Sequence, residues 1–283
     1  MITPTEKSLS DLTTLRIGGT SEVFELKNRS ELAEWMNQAE NLDDAIVLGR
    51  GSNMLFPDDG IDRPLVTLSG QFEEYTFHDG AVTTGAGVFL PEVALEAARR
   101  GYSGLEWAAG VPGSVGGAVA MNAGAFQSET QEALEAVGFL SFDGVYRHLH
   151  THEINFSYRF CELRDHGLIV SAIFQLEPGR APDIQQRTKD LLKDRRAEQP
   201  VGTKSAGCVF RNPNGHSAGE LIDRAGLKGA SEGPIEVSEQ HANYFTNRGE
   251  GTYEQMRRLI DRVRDRVLNQ FDVELPLELR VVQ

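Results

Sequence analysis

A stretch of nearly bare backbone constrains this chain more than any other feature. Residues 110–125 read Gly-Val-Pro-Gly-Ser-Val-Gly-Gly-Ala-Val-Ala-Met-Asn-Ala-Gly-Ala, sixteen positions with five glycines and four alanines. With so few side chains, the main chain can approach a flat, phosphate-bearing ligand and point N–H donors at it. A flexible linker would be polar and rich in serine. Val111, Val115, Val119 and Met121 make this run half apolar instead. It reads as a packed loop around a cofactor.

Two smaller turns extend the pattern. Gly49-Arg-Gly-Ser-Asn53 follows the apolar residues 45–48, and Thr84-Gly-Ala-Gly87 follows a second short apolar segment. Three small-residue turns suggest one extended ligand, for which a flavin dinucleotide is the natural candidate. The turns lie roughly 40 to 60 residues apart, which excludes the Rossmann fingerprint within one βαβ unit.

At 283 residues the chain can bury a sizeable core and form two or three compact units. A net charge of −14 and a pI near 5.0 argue against nucleic-acid binding, which needs a basic face. An anionic ligand would need a locally positive pocket against that field. Cys161 and Cys208 cannot build a disulfide framework and have no zinc-like spacing, which fits a reducing, cytoplasmic compartment. The first residues show no signal-like apolar stretch. The longest apolar runs are strand-sized, short of the ~20 residues a membrane span needs.

Ser30 ahead of residues 31–40 predicts an N-capped helix, followed by a buried strand at 45–48. Short strands are expected at 65–68, 74–77 and 81–84, and a helix from Pro91 to Arg100. Residues 136–142 and 145–150 predict a hairpin around Asp143-Gly144, and 167–176 another buried strand. A helix over 182–196 ends before the linker Gln199-Pro200. Tyr253, Met256, Leu259, Ile260, Val263, Val267 and Phe271 recur at helical spacing, a core-facing stripe. Residues 273–282 predict a terminal strand.

Individually the remaining candidates are weak. Arg159 in Ser157-Tyr-Arg159 has the look of a surface charge. Cys208 follows Gly207 and could lie exposed at a strand edge. Alternation would turn Glu278 to solvent. His148, His150 and His152 read as surface residues at a hairpin exit. There is no Ser-His-Asp arrangement, Walker loop or HExxH.

Together the motifs resemble the UDP-N-acetylenolpyruvoylglucosamine reductase family over nearly the whole chain. The resemblance runs through Thr14-Leu-Arg-Ile-Gly-Gly19, Leu48-Gly-Arg-Gly-Ser-Asn53, residues 104–118, Met121-Asn-Ala-Gly-Ala125 and Ser157-Tyr-Arg159. It continues with Ala206-Gly-Cys-Val-Phe-Arg-Asn-Pro213, Ala218-Gly-Glu-Leu-Ile222, Ala225-Gly-Leu-Lys-Gly229, Val237-Ser238, His241-Ala-Asn243 and Leu277-Glu-Leu-Arg280. It implies an α+β fold: a vanillyl-alcohol-oxidase/PCMH-type FAD-binding unit of two α/β subdomains, plus a smaller α/β substrate domain. The implied boundaries are 1–62 for the first subdomain, to which residues 272–283 return, 63–180 for the second, and 198–271 for the substrate domain. The short span from Arg159 to Cys208 marks the family's shorter type, without a tyrosine-bearing insertion.

The implied cofactors are non-covalent FAD and NADPH, and the implied partner is the enolpyruvyl ether of UDP-N-acetylglucosamine, with neither nucleic acid nor membrane. By the same resemblance, FAD would be held by Leu48, Gly49, Arg50, Gly51, Ser52, Asn53, Gly85, Gly87, Pro112, Gly113, Ser114, Gly116, Gly117, Asn122, Gly124, Ala125 and Ile169. Tyr158, Asn212, Lys228, His241 and Asn243 would contact substrate. Arg159 and Glu278 would polarise the substrate carboxylate, and a glutamate so placed should have a raised pKa. Cys208 occupies the place of the family's proton-donating serine. A thiol is more acidic than a hydroxyl and can be oxidised, so an active but peroxide-sensitive enzyme is expected. Arg211, where lysine is common, and Ser231-Glu-Gly-Pro234 are further departures, touching the nucleotide contacts. Two other classes stay open: a flavin oxidase acting on an alcohol or sugar, and a flavin binder without catalysis. The cysteine and arginine pair weighs against the oxidase, and retention of both Arg159 and Glu278 weighs against the non-catalytic binder.

Overall fold

The computed structural model describes residues 1–39 and 42–283. Its contacts divide the chain into two compact units, each assembled from three segments. One comprises residues 1–5, 22–50 and 63–194; the other comprises 6–21, 51–62 and 195–283.

The first unit contains strand β1 (Thr20–Leu26), which also pairs with the strand Thr5–Ser8, helix α1 (Arg29–Gln38), strand β2 (Ile46–Val47) and strand β3 (Leu65–Leu68). Both β1 and β2 pair in parallel with β3, the α/β arrangement expected of strands joined through a helix. The helix starts earlier than predicted. Asn28, not Ser30, is its cap, with Oδ1 accepting the Glu31 N–H at 2.9 Å while the Glu31 carboxylate accepts the Lys27 N–H at 2.7 Å. That reciprocal arrangement leaves Ser30 inside the first turn. The prediction for Glu40 lies outside the described residues.

An antiparallel sheet follows, from β4 (Tyr75–His78), β5 (Ala81–Gly85), β8 (Leu134–Ser141), β9 (Tyr146–His150) and β12 (Gly167–Gln175), in the order β9-β8-β12-β5-β4. Helix α2 (Leu90–Arg100) carries Pro91 in its first turn, as predicted, and ends on left-handed Gly101. The glycine run is not loop alone. Ser114 caps a short helix, α3 (Val115–Ala120), its Oγ accepting the Gly117 N–H at 3.2 Å. Two hairpins lie beyond it: β6 (Gly124–Ala125) with β7 (Ser128–Glu129), and β10 (Phe156–Ser157) with β11 (Phe160–Cys161). Val82, Val88, Leu105, Trp107, Val115, Val119, Val137, Phe139 and Phe174 form the core between sheet and glycine run.

Helix α4 (Ala181–Glu198) leads into the second unit. There β13 (Ser205–Cys208), β14 (Ser231–Glu232), β15 (Ile235–Val237) and β16 (Tyr244–Asn247) form an antiparallel sheet in the order β13-β16-β15-β14. Helices α5 (Ala218–Arg224) and α6 (Tyr253–Phe271) accompany it. The predicted stripe of α6 is core: Met256, Leu259, Ile260, Val263 and Val267 are all buried. Each contributes up to about 1.5–3 kcal/mol by leaving water. The terminal segment is less regular than predicted. Only β17 (Arg280–Val281) is ladder, parallel to the two-residue strand Met54–Leu55. Pro276 has no N–H to donate, and Glu278 and Leu279 both donate to the single carbonyl of Val209, which breaks the alternation.

Candidate active site

In the first unit the small-residue turns lock onto one another. Val115 N–H donates to Val88 C=O at 2.9 Å and Gly116 N–H to Ala86 C=O at 2.8 Å, while Gly85 and Gly87 donate to Glu74 and Phe72. Many donors expected to face a ligand therefore hold the layer together. The exposed amides of Gly49 and Arg50 have no acceptor among the described residues. A Cβ on Gly49 would come within 2.4 Å of Ser114 Oγ, so only glycine lets this turn lie against the start of α3. The Arg50 guanidinium stands 3.2 Å from Glu73 and over the Phe89 ring. A bare layer with open amides beside a cation fits the phosphates and flat ring system of a dinucleotide. Leu48 and Ile169 are buried.

Arg159 is the second residue of a two-residue turn between β10 and β11 and is held at φ 57°. Its Nη2 donates to Gly124 C=O at 2.8 Å, and the guanidinium lies 5.0 Å from the centroid of the exposed Tyr158 ring. Asn122, fully buried at φ 40°, braces the same turn: Nδ2 donates to Ser157 C=O at 3.1 Å, and Oδ1 accepts the Gln131 N–H. Two non-glycine residues in left-handed conformation around one guanidinium mark strain of the kind stored at functional sites. The structure thus brings Asn122, Gly124, Tyr158 and Arg159 together.

In the second unit, Cys208 ends edge strand β13, half-buried, opposite Tyr244. The ladder slips between Ser205 and Cys208, where Gly207 takes φ 74°. The next residue, Val209, accepts the N–H groups of Glu278 at 2.9 Å and Leu279 at 3.2 Å. Asn53 Nδ2 donates to Glu278 C=O at 3.0 Å, and Asn53 C=O accepts from Arg280 N–H. Asn53 Oδ1 is buried and unpaired among the described residues. The strand carrying Cys208 is therefore joined to Glu278 through main chain, and Glu278 to Asn53, 225 positions away, through the Asn53 side chain.

The other sequence candidates in this unit each have partners within the protein. Asn212 Oδ1 accepts the N–H of Ala218, the first residue of α5, and Lys228 pairs with Asp223 at 2.8 Å. The His241 ring packs 3.2 Å from where a Cβ of Gly219 would lie, and its Nδ1 accepts the Asn243 N–H. Burial pushes the His241 pKa below 6.5, favouring the neutral ring. Asn243 turns its carboxamide onto the backbone of Phe210. Arg211 Nε is buried without a partner among the described residues, an open donor in the segment after Cys208.

Sequence reasoning passed over Glu106. Its carboxylate accepts from Ser103 Oγ, Gly104 N–H and Arg187, bracing the entry to the glycine run, and these bonds lower its pKa although burial works against them. A lone acid in an apolar run was the available signal. No group of three or more His, Cys, Asp or Glu among the described residues could hold a metal, and no described helix is long and apolar enough to cross a membrane.

The class is that of FAD-binding oxidoreductases: residues 20–150, which hold most of the glycine-lined layer, match the FAD binding domain family. Residues 199–282 match the C-terminal domain of UDP-N-acetylenolpyruvoylglucosamine reductase. The enzyme of that name from Moorella thermoacetica is 38% identical over 98% of this chain and 92% of its own length. The Gluconobacter oxydans one is 36% identical over 94% of this chain and 87% of its own. A crystal structure of the reductase from Thermus caldophilus superposes with a TM-score of 0.89 at 36% identity, covering both chains completely. The chain belongs to the UDP-N-acetylenolpyruvoylglucosamine reductase family.

Proposed function

We propose that this chain reduces the enolpyruvyl ether of UDP-N-acetylglucosamine to UDP-N-acetylmuramate, a peptidoglycan precursor, with NADPH as reductant and Arg159, Cys208 and Glu278 as catalytic residues. FAD, when bound, supplies the hydride relay between NADPH and the alkene. The small-residue turns at 48–53, 85–87 and 112–125 would hold it. We read residues 1–62 with 272–283, 63–180 and 198–271 as the two FAD-binding subdomains and the substrate domain. Pairing of β17 with Met54–Leu55 supports the return of the C-terminal segment to the first of these.

Hydride addition at the methylene carbon leaves negative charge on the α-carbon and its carboxylate. Arg159, with five N–H donors on a planar fork, is suited to the carboxylate. A protonated Glu278 would donate to the same group. The Cys208 thiol would pass its proton to the α-carbon and be reprotonated from solvent. Tyr158, Asn212, Lys228 and His241 would orient the sugar nucleotide, His241 offering Nε2–H because Nδ1 already accepts a hydrogen bond. A reducing cytoplasmic setting suits a thiol in this role.

One observation carries the reading: the residue after Cys208 is hydrogen-bonded to Glu278, so donor and carboxylate partner share one scaffold. The test is anaerobic. Purified protein is reduced with one equivalent of NADPH and mixed with the enolpyruvyl ether while the visible flavin band is followed. Rapid return of the oxidised band is the expected outcome; reduction without return would overturn the assignment.

A further inference from the structure

We propose that Asn243 is a positioning residue for the proton transfer: it clamps residues 209–210 and so fixes the register of Cys208 with Glu278. The inference rests on the reductase reading and changes the role of Asn243 within it, from touching substrate to holding the donor strand.

Asn243 is 2% exposed, yet every polar group it carries is engaged with protein. Its Oδ1 accepts the Phe210 N–H at 3.0 Å, its Nδ2 donates to the Phe210 C=O at 2.8 Å, and its own carbonyl accepts the Val209 N–H at 2.9 Å. A carboxamide bonded to both the N–H and the C=O of one residue stands in for a missing neighbouring strand. Such a device matters here because β13 shifts register between Ser205 and Cys208, so the Cys208–Tyr244 pair ends a ladder interrupted just before it, and the clamp on the next two residues holds that end in place.

The opposite edge of the same segment is held by residues 276–279. Val209 C=O accepts from Glu278 and Leu279, Phe210 bridges Leu277, and Arg211 N–H donates to Pro276 C=O. The clamp sits among apolar neighbours, with Val209, Phe210 and Phe245 all buried, so water cannot replace a lost bond. Displacing residues 209–210 strains the bonds from Glu278 and Leu279 to Val209 C=O and so shifts Cys208 against Glu278. A neutral amide suits both Phe210 groups, whereas a carboxylate would oppose the carbonyl.

The experiment uses FAD-loaded Asn243→Asp and Asn243→Ala in rapid mixing, following flavin reduction by NADPH and reoxidation by the enolpyruvyl ether separately. Reduction does not use the thiol and should stay within about twofold of wild type. Reoxidation should slow about tenfold or more at saturating substrate, with a larger solvent deuterium effect. In the Asp variant the loss should shrink as pH falls, because a protonated carboxyl restores both an acceptor and a donor to Phe210. Added to Cys208→Ala, the Asn243→Ala change should cost nothing further. The proposal is overturned if the halves fall together with FAD content, if neither changes, if only the substrate concentration needed rises, or if the two losses add. If Asn243→Ala does not fold, the pH response of the Asp variant decides. Failure of the wild type to reoxidise would overturn the reductase reading itself, and this proposal with it.

Discussion

Cys161 and Cys208 differ in the properties that govern thiol chemistry. Cys161 is fully buried in the first unit's core, and desolvation pushes its pKa up to about 11. Cys208 is half-buried at the end of an edge strand. At neutral pH, iodoacetamide followed by peptide mass analysis should label Cys208 and leave Cys161 untouched. Cys208→Ser should keep activity and lose sensitivity to peroxide; a dead serine variant would sink the proton-donor role. His241 predicts a pH effect on stability. Its folded pKa lies below 6.5, so the unfolded chain binds the extra proton first. Its contribution is full above pH 6.5 and is lost as pH falls toward the folded pKa. Urea unfolding across that window should show His241→Gln less acid-sensitive than wild type. At this scale Arg159, Cys208 and Glu278 could be named from motifs. The clamp of Asn243 could not, because its partner lies 33 positions away and leaves no periodic trace.

Among elements, α6 was legible from its apolar stripe, and its entry agrees with that reading. Thr252 Oγ1 accepts the Gln255 N–H and the Gln255 side chain answers at Thr252 N–H, a capping box. Thr252→Ala should lower stability by about 1 kcal/mol in thermal melts. The β6–β7 turn was not legible. Phe126 and Gln127 both take left-handed φ, 54° and 64°, where asparagine and glycine are the usual occupants. Gln127→Gly should raise stability by up to about 1 kcal/mol, read in the same melts; a loss would show that the Gln127 side chain holds the turn. The terminal segment was read as one strand because its apolar residues alternate. The bifurcated bond at Val209 was invisible to that pattern.

At the scale of the molecule, each unit is stitched from three stretches of chain, and composition carries no trace of such stitching. The fold class was readable because many short motifs occur in a fixed order. The return of residues 272–283 to the first part of the chain was expected from the resemblance; the grouping of 6–21 and 51–62 with all of 195–283 was not, because the bonds that decide it span most of the chain. The Asn53–Glu278 bond is one of them, and Asn53→Ala should cost about 1–2 kcal/mol in urea unfolding. A smaller effect would assign the cohesion to β17 and Met54–Leu55 instead.

That interleaving also orders events during synthesis. A ribosome delivers Asn53 and the Met54–Leu55 strand early, and their partners at Glu278 and β17 some 225 residues later. At the usual pace of roughly 5–20 residues per second, those early segments stay without their native neighbours for about ten seconds or more. The stretch 63–194 emerges meanwhile and can condense first. Loss of residues 272–283 to a truncated message or a protease would take Glu278 and β17 with it, leaving Asn53 and Met54–Leu55 without the partners they fold against.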